Sequence, residues 1–127
     1  MYAEEDVNVA AVTKDTDRSE VAVRLLNDFD DNYTSVLNLM ELRTVLAKKK
    51  TIERDPVEQI EQRIKSRTIV TFPDASDMVE ANQLQDETLL YPMDALILAA
   101  ANSVNATLVS FDSELREHGA KRPQDLI

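Results

Sequence analysis

The 127-residue chain contains no cysteine and no tryptophan, one glycine (Gly119) and one histidine (His118). Each scarcity removes a class of chemistry. Without cysteine there is neither a disulfide nor a thiolate zinc site. A lone histidine excludes paired-histidine acid–base catalysis. A lone glycine leaves no glycine-rich loop to cradle phosphates, which removes P-loop and dinucleotide-binding readings. No apolar run reaches the roughly 20 residues needed to span a bilayer. The opening Met1-Tyr2-Ala3-Glu4-Glu5-Asp6 is acidic where a signal peptide is basic. The expectation is a cytoplasmic protein with no membrane association.

Carboxylate is what the sequence has in quantity: 24 Asp and Glu against 14 Lys and Arg, for a net charge of −10. With 43 % hydrophobic residues the chain can bury a core, and its length fits a single domain over residues 1–127. Such an acid excess opposes simple electrostatic binding of nucleic acid. It agrees with a salt-adapted, halophilic source, because lysine is also scarce, at six residues. Near 1 M salt the Debye length falls to about 3 Å, and net charge stops deciding what binds.

Residues 2–5 sit where a short first strand could lie, and Val7 to Thr13 forms a compact apolar helix. Lys14 to Asp17 reads as a turn, and Ser19 as the cap of a helix through Val21, Leu25 and Leu26. Tyr33 to Ser35 is either a short strand or a turn. Val36 to Lys50 reads as one helix, with Lys48, Lys49 and Lys50 matching the dipole of its last turn. Asp55-Pro56 predicts a cap and first position for a helix ending at Arg67. The β-branched run Thr68 to Phe72 is a strand. Asp74 or Ser76 caps the next helix, which ends near Leu90. Pro92 opens the most apolar helix, through Val104. Thr107 to Phe111 is another strand, and a helix then runs to His118, closed by Gly119. Pro123 to Ile127 is placed as a last edge strand. Strands alternating with helices predict an α/β fold with a parallel sheet covered on both faces. Ligand groups in such folds gather beyond the carboxyl ends of the strands.

Position selects among the acids. Asp94 is the only charged residue between Glu87 and Asp112. It opens a helix apolar on every side, where the N-terminal dipole favours a carboxylate. It is either a first-turn acid with no other role or a ligand. Asp112 follows a hydrophobic strand by one residue and is an N-cap, a ligand group, or both. Glu41 shares a helical face with Leu37, Thr44 and Val45, so it is partly desolvated and needs a partner. That partner is either a structural ion pair with Arg43 or Lys48, or a cation. Asp6 follows the first strand, with Glu4 and Glu5 beside it. If the four meet, the chemistry that unites them is metal-assisted phosphodiester cleavage. Bound Mg²⁺ or Mn²⁺ would supply what the absent histidine pair and phosphate nest cannot, and hard cations prefer carboxylate oxygens.

These residues resemble motifs of the PIN-domain family, especially the VapC-type toxins of archaeal toxin–antitoxin pairs. Tyr91-Pro92-Met93-Asp94-Ala95-Leu96 and Ala106-Thr107-Leu108-Val109-Ser110-Phe111-Asp112 look like its third and fourth acid motifs. Asn38-Leu39-Met40-Glu41-Leu42 is similar to the second, and Asp6-Val7-Asn8-Val9 to the opening Asp-Thr-Asn. Val7 stands where that opening has a small polar residue. The resemblance implies a three-layer α/β/α sandwich with a central parallel sheet. It also implies an endoribonuclease site in which Asp6, Glu41, Asp94 and Asp112 hold one or two Mg²⁺ or Mn²⁺. Asn8 and Ser110 match supporting positions. The implied partners are RNA, a cognate antitoxin and a second copy of the chain. Arg43, Lys48 and Lys49, with Lys50 and Arg54, are cations available to grip phosphates, although the lysine run also serves as a solvated helix end.

Three other readings use the same residues differently. A PIN nuclease of RNA maturation needs the same four acids. A non-catalytic interaction protein would keep the fold without needing the acids, all of which are present. A phosphoacceptor receiver domain needs a lysine after a late strand, where Asp112 stands instead.

Overall fold

The computed structural model describes residues 1–12, 17–49 and 53–126. Four short strands, β1 (Tyr2–Ala3), β2 (Tyr33–Ser35), β3 (Ile69–Thr71) and β4 (Leu108–Val109), form one sheet in the order β3-β2-β1-β4. Every pairing is parallel, with Tyr2 opposite both Tyr33 and Leu108, Ala3 opposite Val109, and Thr34 opposite Val70. β1 therefore lies inside the sheet.

Strand side chains alternate between faces, and the core divides accordingly. Ala3 and Val109 join a cluster with Val7, Leu25, Leu39, Leu42 and Ile64. Tyr2 and Leu108 join a second cluster with Leu90, Ala95, Leu98, Ala101 and Leu115. The first is covered by α1 (Glu5–Val12), α2 (Asp17–Asp28), α3 (Val36–Thr44) and α4 (Arg54–Arg67). The second is covered by α5 (Ala75–Thr88), α6 (Pro92–Ser103) and α7 (Ser113–Glu117). This is the three-layer α/β/α sandwich that the alternation of elements predicts. Among the described residues, no helix is long and apolar enough to cross a membrane.

Local chemistry accounts for most boundaries. Ser35 Oγ accepts the Leu37 N–H at 3.1 Å and so starts α3 directly from β2. Asp74 caps α5 in a reciprocal box with Asp77. Tyr91 precedes α6, whose first position is Pro92, a residue with no N–H to leave unsatisfied. Gly119 follows α7 at φ 109°, a conformation that suits glycine.

Several boundaries differ from the sequence expectation, among them that of α1, which begins at Glu5 rather than Val7 and so takes in Asp6. α2 begins at Asp17, so Ser19 lies inside its first turn and does not cap it; Lys14, Asp15 and Thr16 lie outside the described residues. α4 begins at Arg54 with Glu53 before it, so Asp55 and Pro56 sit within the first turn. The stretch from Val36 is not one α-helix: at Val45 it widens into a π-helical turn, Val45–Lys49, and Lys50 lies outside the described residues. The late strand shortens to Leu108–Val109, because Ser110 and Phe111 turn to serve the side chains of the acids. The described part of the tail is no strand, and Ile127 lies outside the described residues. Pro123–Leu126 is a 3₁₀ turn, held by Arg122 pairing with Asp125 at 3.0 Å, and only Lys121 bridges to Val109. Pro123 has no N–H to give a ladder.

Candidate active site

The carboxyl end of β1 is fixed by a buried polar knot. Thr34 Oγ1 donates to the Ala3 carbonyl at 2.8 Å and Asn38 Nδ2 donates to it at 3.0 Å. Asn8 Nδ2, from α1, donates to Thr34 Oγ1 at 3.1 Å. Asn8, Thr34 and Asn38 are all fully buried, so each such bond avoids an unsatisfied polar group. The knot sets where Glu4, Glu5 and Asp6 emerge.

Glu4 extends the ladder by one residue, its N–H donating to the Val109 carbonyl at 3.1 Å. Asp6 lies in the first turn of α1. Its Oδ2 accepts the Phe111 N–H at 3.0 Å and lies 3.1 Å from Ser110 Oγ. The same hydroxyl lies 3.1 Å from Glu4 Oε2 and accepts the Asp112 N–H at 3.0 Å. One hydroxyl has one hydrogen. Ser110 thus donates to one of the two acids at a time, and the other keeps only a backbone donor, the Phe111 N–H for Asp6 or the Asp6 N–H at 3.4 Å for Glu4. Asp112 Oδ1 in turn accepts the Glu114 N–H at 2.9 Å, capping α7. Asp112 therefore has the N-cap role, and its other oxygen remains for a ligand.

Electrostatics tie the remaining acids to this knot. Burial, with the Asp6 carboxylate beside it, pushes Glu4 up to about 9. Burial raises Asp6 as well, against the hydrogen bonds from Glu4, Ser110 and Phe111 that lower it. Asp94, in the first turn of α6, is pushed up to about 6 by burial and then by the charges of Asp112, Glu114, Glu41 and Asp6. The helix dipole favours ionised Asp94, and burial together with its acidic neighbours outweighs it. Burial raises Glu41 on α3. Segments far apart in sequence therefore bring Asp6, Glu41 and Asp112 within electrostatic reach of Asp94, and Asp112 within reach of Asp6.

The tightest grouping is a different one. Glu4, Glu5 and Glu41 each bring an oxygen within 4.8 Å of the other two, the only such trio among the described residues. Glu114 also faces Asp94. Sequence reasoning left Glu4 and Glu5 open and passed over Glu114. The signal for Glu4 was its place at a strand end, hidden by two further acids after it. Asp6 Oδ1 is buried with no hydrogen-bond partner. A buried carboxylate oxygen without a donor is costly. With several hard oxygen donors around it, this orphan fits a divalent cation such as Mg²⁺ or Mn²⁺.

The cations chosen from sequence lie differently. Arg43 donates to Glu61 on α4 (Nε–Oε2 3.1 Å), and Lys65 pairs with the same carboxylate at 3.3 Å. Arg43 is therefore not the partner of Glu41 that the ion-pair alternative required. Arg54 pairs with Glu58 at 3.2 Å. Lys48 is exposed, while the Lys49 side chain lies outside the described residues, as does Lys50. A cation that sequence reasoning missed, Arg18, sits over the Phe111 ring, its guanidinium carbon 4.6 Å from the centroid.

A parallel α/β sandwich with acids gathered at the carboxyl ends of its strands is the class that the fold and site define. Within that class the chain belongs to the PIN-domain family, whose model matches residues 6–121. Among curated proteins, none matches in sequence. Solved structures are similar in fold. A toxin–antitoxin complex from Klebsiella pneumoniae has 20 % identity and a TM-score of 0.78 over 96 % of both chains. Mycobacterium tuberculosis VapC20, a sarcin–ricin-loop-cleaving toxin, has 18 % identity and a TM-score of 0.77, over 94 % of this chain and 95 % of that one. FitAcB from Neisseria gonorrhoeae has 17 % identity and a TM-score of 0.79 over 97 % of both.

Proposed function

We propose that this protein is a metal-dependent endoribonuclease, the toxin of a toxin–antitoxin pair, with Asp6, Glu41, Asp94 and Asp112 as the catalytic acids and Mg²⁺ or Mn²⁺ as cofactor. The observation that carries the reading is the raised Asp94, which senses Asp112, Glu41 and Asp6 from three other segments of the chain. Family membership supports nuclease chemistry, and the toxin–antitoxin neighbours support the biological role.

A hard divalent cation, when bound, supplies positive charge against the scissile phosphate and acidifies water. The chain's own residues do the positioning. Ser110 and the Phe111 N–H hold Asp6 through Oδ2 and leave Oδ1 without a hydrogen bond. The N-cap contact to Glu114 fixes Asp112. The apolar helix α6 keeps Asp94 in one place and partly excludes water. Asn8 acts at a distance by fixing α1, which carries Asp6, against β2. RNA is the substrate in this reading, and an antitoxin and a second copy of the chain are the partners. The cytoplasm is the location that suits them.

Linkage gives a test. Glu4 and Asp94 titrate near 9 and 6 in the folded protein, against 4.5 and 3.8 when unperturbed. At these two groups the folded state then binds more protons than the unfolded chain in that range, so without metal their contribution to stability is greatest on the acid side. That contribution falls as pH rises from about 4 towards 9. Saturating Mn²⁺ replaces those protons, so it should raise the melting temperature far more near pH 8 than near pH 5. At about a hundred times the dissociation constant the gain is about 2.7 kcal/mol. An equal response at both pH values would contradict the reading.

A salt-adapted source accounts for the net charge of −10. Self-repulsion of that size is relieved by screening. Melting in molar KCl should occur well above melting in dilute buffer, and full stability in dilute buffer would remove this part of the account.

A further inference from the structure

A nuclease with this much acid must still hold a polyanion, and Arg18 lies over the ring of Phe111, the residue between Ser110 and Asp112. We propose that Arg18 grips an RNA phosphate at the rim of the site, with Phe111 as the platform that holds its guanidinium there. The inference rests on the nuclease reading and adds to it a substrate-binding residue.

Placement is the first argument. Phe111 lies between Ser110 and Asp112, and its own N–H holds Asp6 Oδ2. The guanidinium carbon of Arg18 is 4.6 Å from the centre of its ring. A cation over an aromatic face is held electrostatically, and the contact consumes none of the guanidinium's N–H donors. Among the described residues Arg18 has no ion-pair or hydrogen-bond partner. It is exposed and therefore accessible to a phosphate. The planar fork suits a phosphate oxygen pair, and a side chain already positioned loses less entropy on binding.

Among the described residues, local structure gives no competing reason for a cation here. Arg18 is the second residue of α2, where the positive end of the helix dipole disfavours positive charge. The other arginines considered are committed to acids: Arg24 to Asp28, Arg43 to Glu61 and Arg54 to Glu58.

The test measures binding apart from cleavage. A fluorescein-labelled single-stranded oligouridylate is titrated by anisotropy in Ca²⁺ buffer across a range of KCl. Arg18→Gln should weaken binding about tenfold, the loss of one charge-assisted contact. The slope of log K against log[KCl] should become shallower by about 0.7, the value for one phosphate on a single strand. Arg18→Lys should restore the slope without the full affinity. Phe111→Leu keeps the backbone N–H and should lose affinity with the slope preserved. Melting of Arg18→Gln should be unchanged or slightly higher, and its Mn²⁺ affinity by calorimetry unchanged or tighter. Equal affinity and slope in Arg18→Gln and wild type would overturn the assignment, as would a fall in affinity explained by a lower melting temperature. If the wild type itself binds no RNA, the nuclease reading falls, and this inference falls with it.

Discussion

Asp94→Asn is expected to lower RNA cleavage by well over a hundredfold, more than the ten- to hundredfold cost of losing a supporting group, while leaving the fold intact. The substitution keeps the shape of the side chain and removes its charge. Asp94 is pushed up to about 6 by burial and by the acids around it, so its ionised form is a burden on the metal-free fold above that pH. Removing the charge should therefore raise the melting temperature in EDTA at neutral pH. That gain should fade as pH falls from about 6 to 3.8, where wild-type Asp94 takes up its own proton. The Mn²⁺-dependent rise in melting temperature should shrink or vanish in the variant. Activity lost together with the fold would say only that Asp94 is structural. Cleavage at the parental rate would remove Asp94 from the site.

Ser110→Ala should be the second largest effect, through a residue that touches no substrate. Its fully buried hydroxyl is shared by Glu4, Asp6 and the Asp112 N–H. Deleting it strands polar groups in the interior, at a cost of about 1–3 kcal/mol. Metal affinity should fall by about ten- to hundredfold, as for other groups that orient ligands. Ser110→Thr retains the hydroxyl and should restore most of the affinity. A structural role alone would lower the melting temperature without moving the Mn²⁺ affinity, so isothermal titration separates the two. Unchanged affinity would show that the Glu4–Asp6 knot does not shape the metal site.

The contrast between Asp94 and Glu4 shows what this sequence reveals. Asp94 is legible because α6 is otherwise apolar from Met93 to Ala101, and a single charge there must be explained. Glu4 is obscured because Glu5 and Asp6 follow it, and composition cannot tell which of three acids ends a strand. Only the pairing of its N–H with Val109 separates them. The parallel sheet is legible from alternating elements, but its two- and three-residue strands are too short for periodicity to fix their ends. The tail shows the reverse failure: apolar Leu126 and Ile127 suggest a strand, while Pro123 and the Arg122–Asp125 pair close a 3₁₀ turn. Arg43 looked available because its partner, Glu61, comes from another helix. Arg18 left no trace in the sequence, since its meaning depends on a ring 93 positions away (111 − 18).

The arrangement also explains how so acidic a chain tolerates its own site. Two deeply placed acids share one hydroxyl, Glu4 holds a proton up to about pH 9, and Asp6 leaves one oxygen unmatched. Protons hold the cluster together in the absence of metal, and a divalent cation relieves the same repulsion more fully.

The most direct measurement is a crystal soaked in Mn²⁺ with data collected near the manganese absorption edge. An anomalous peak should lie between Asp6 and Asp94, within reach of Glu41 or Asp112. Manganese found only elsewhere on the molecule, or none at a concentration that supports RNA cleavage, would contradict the account.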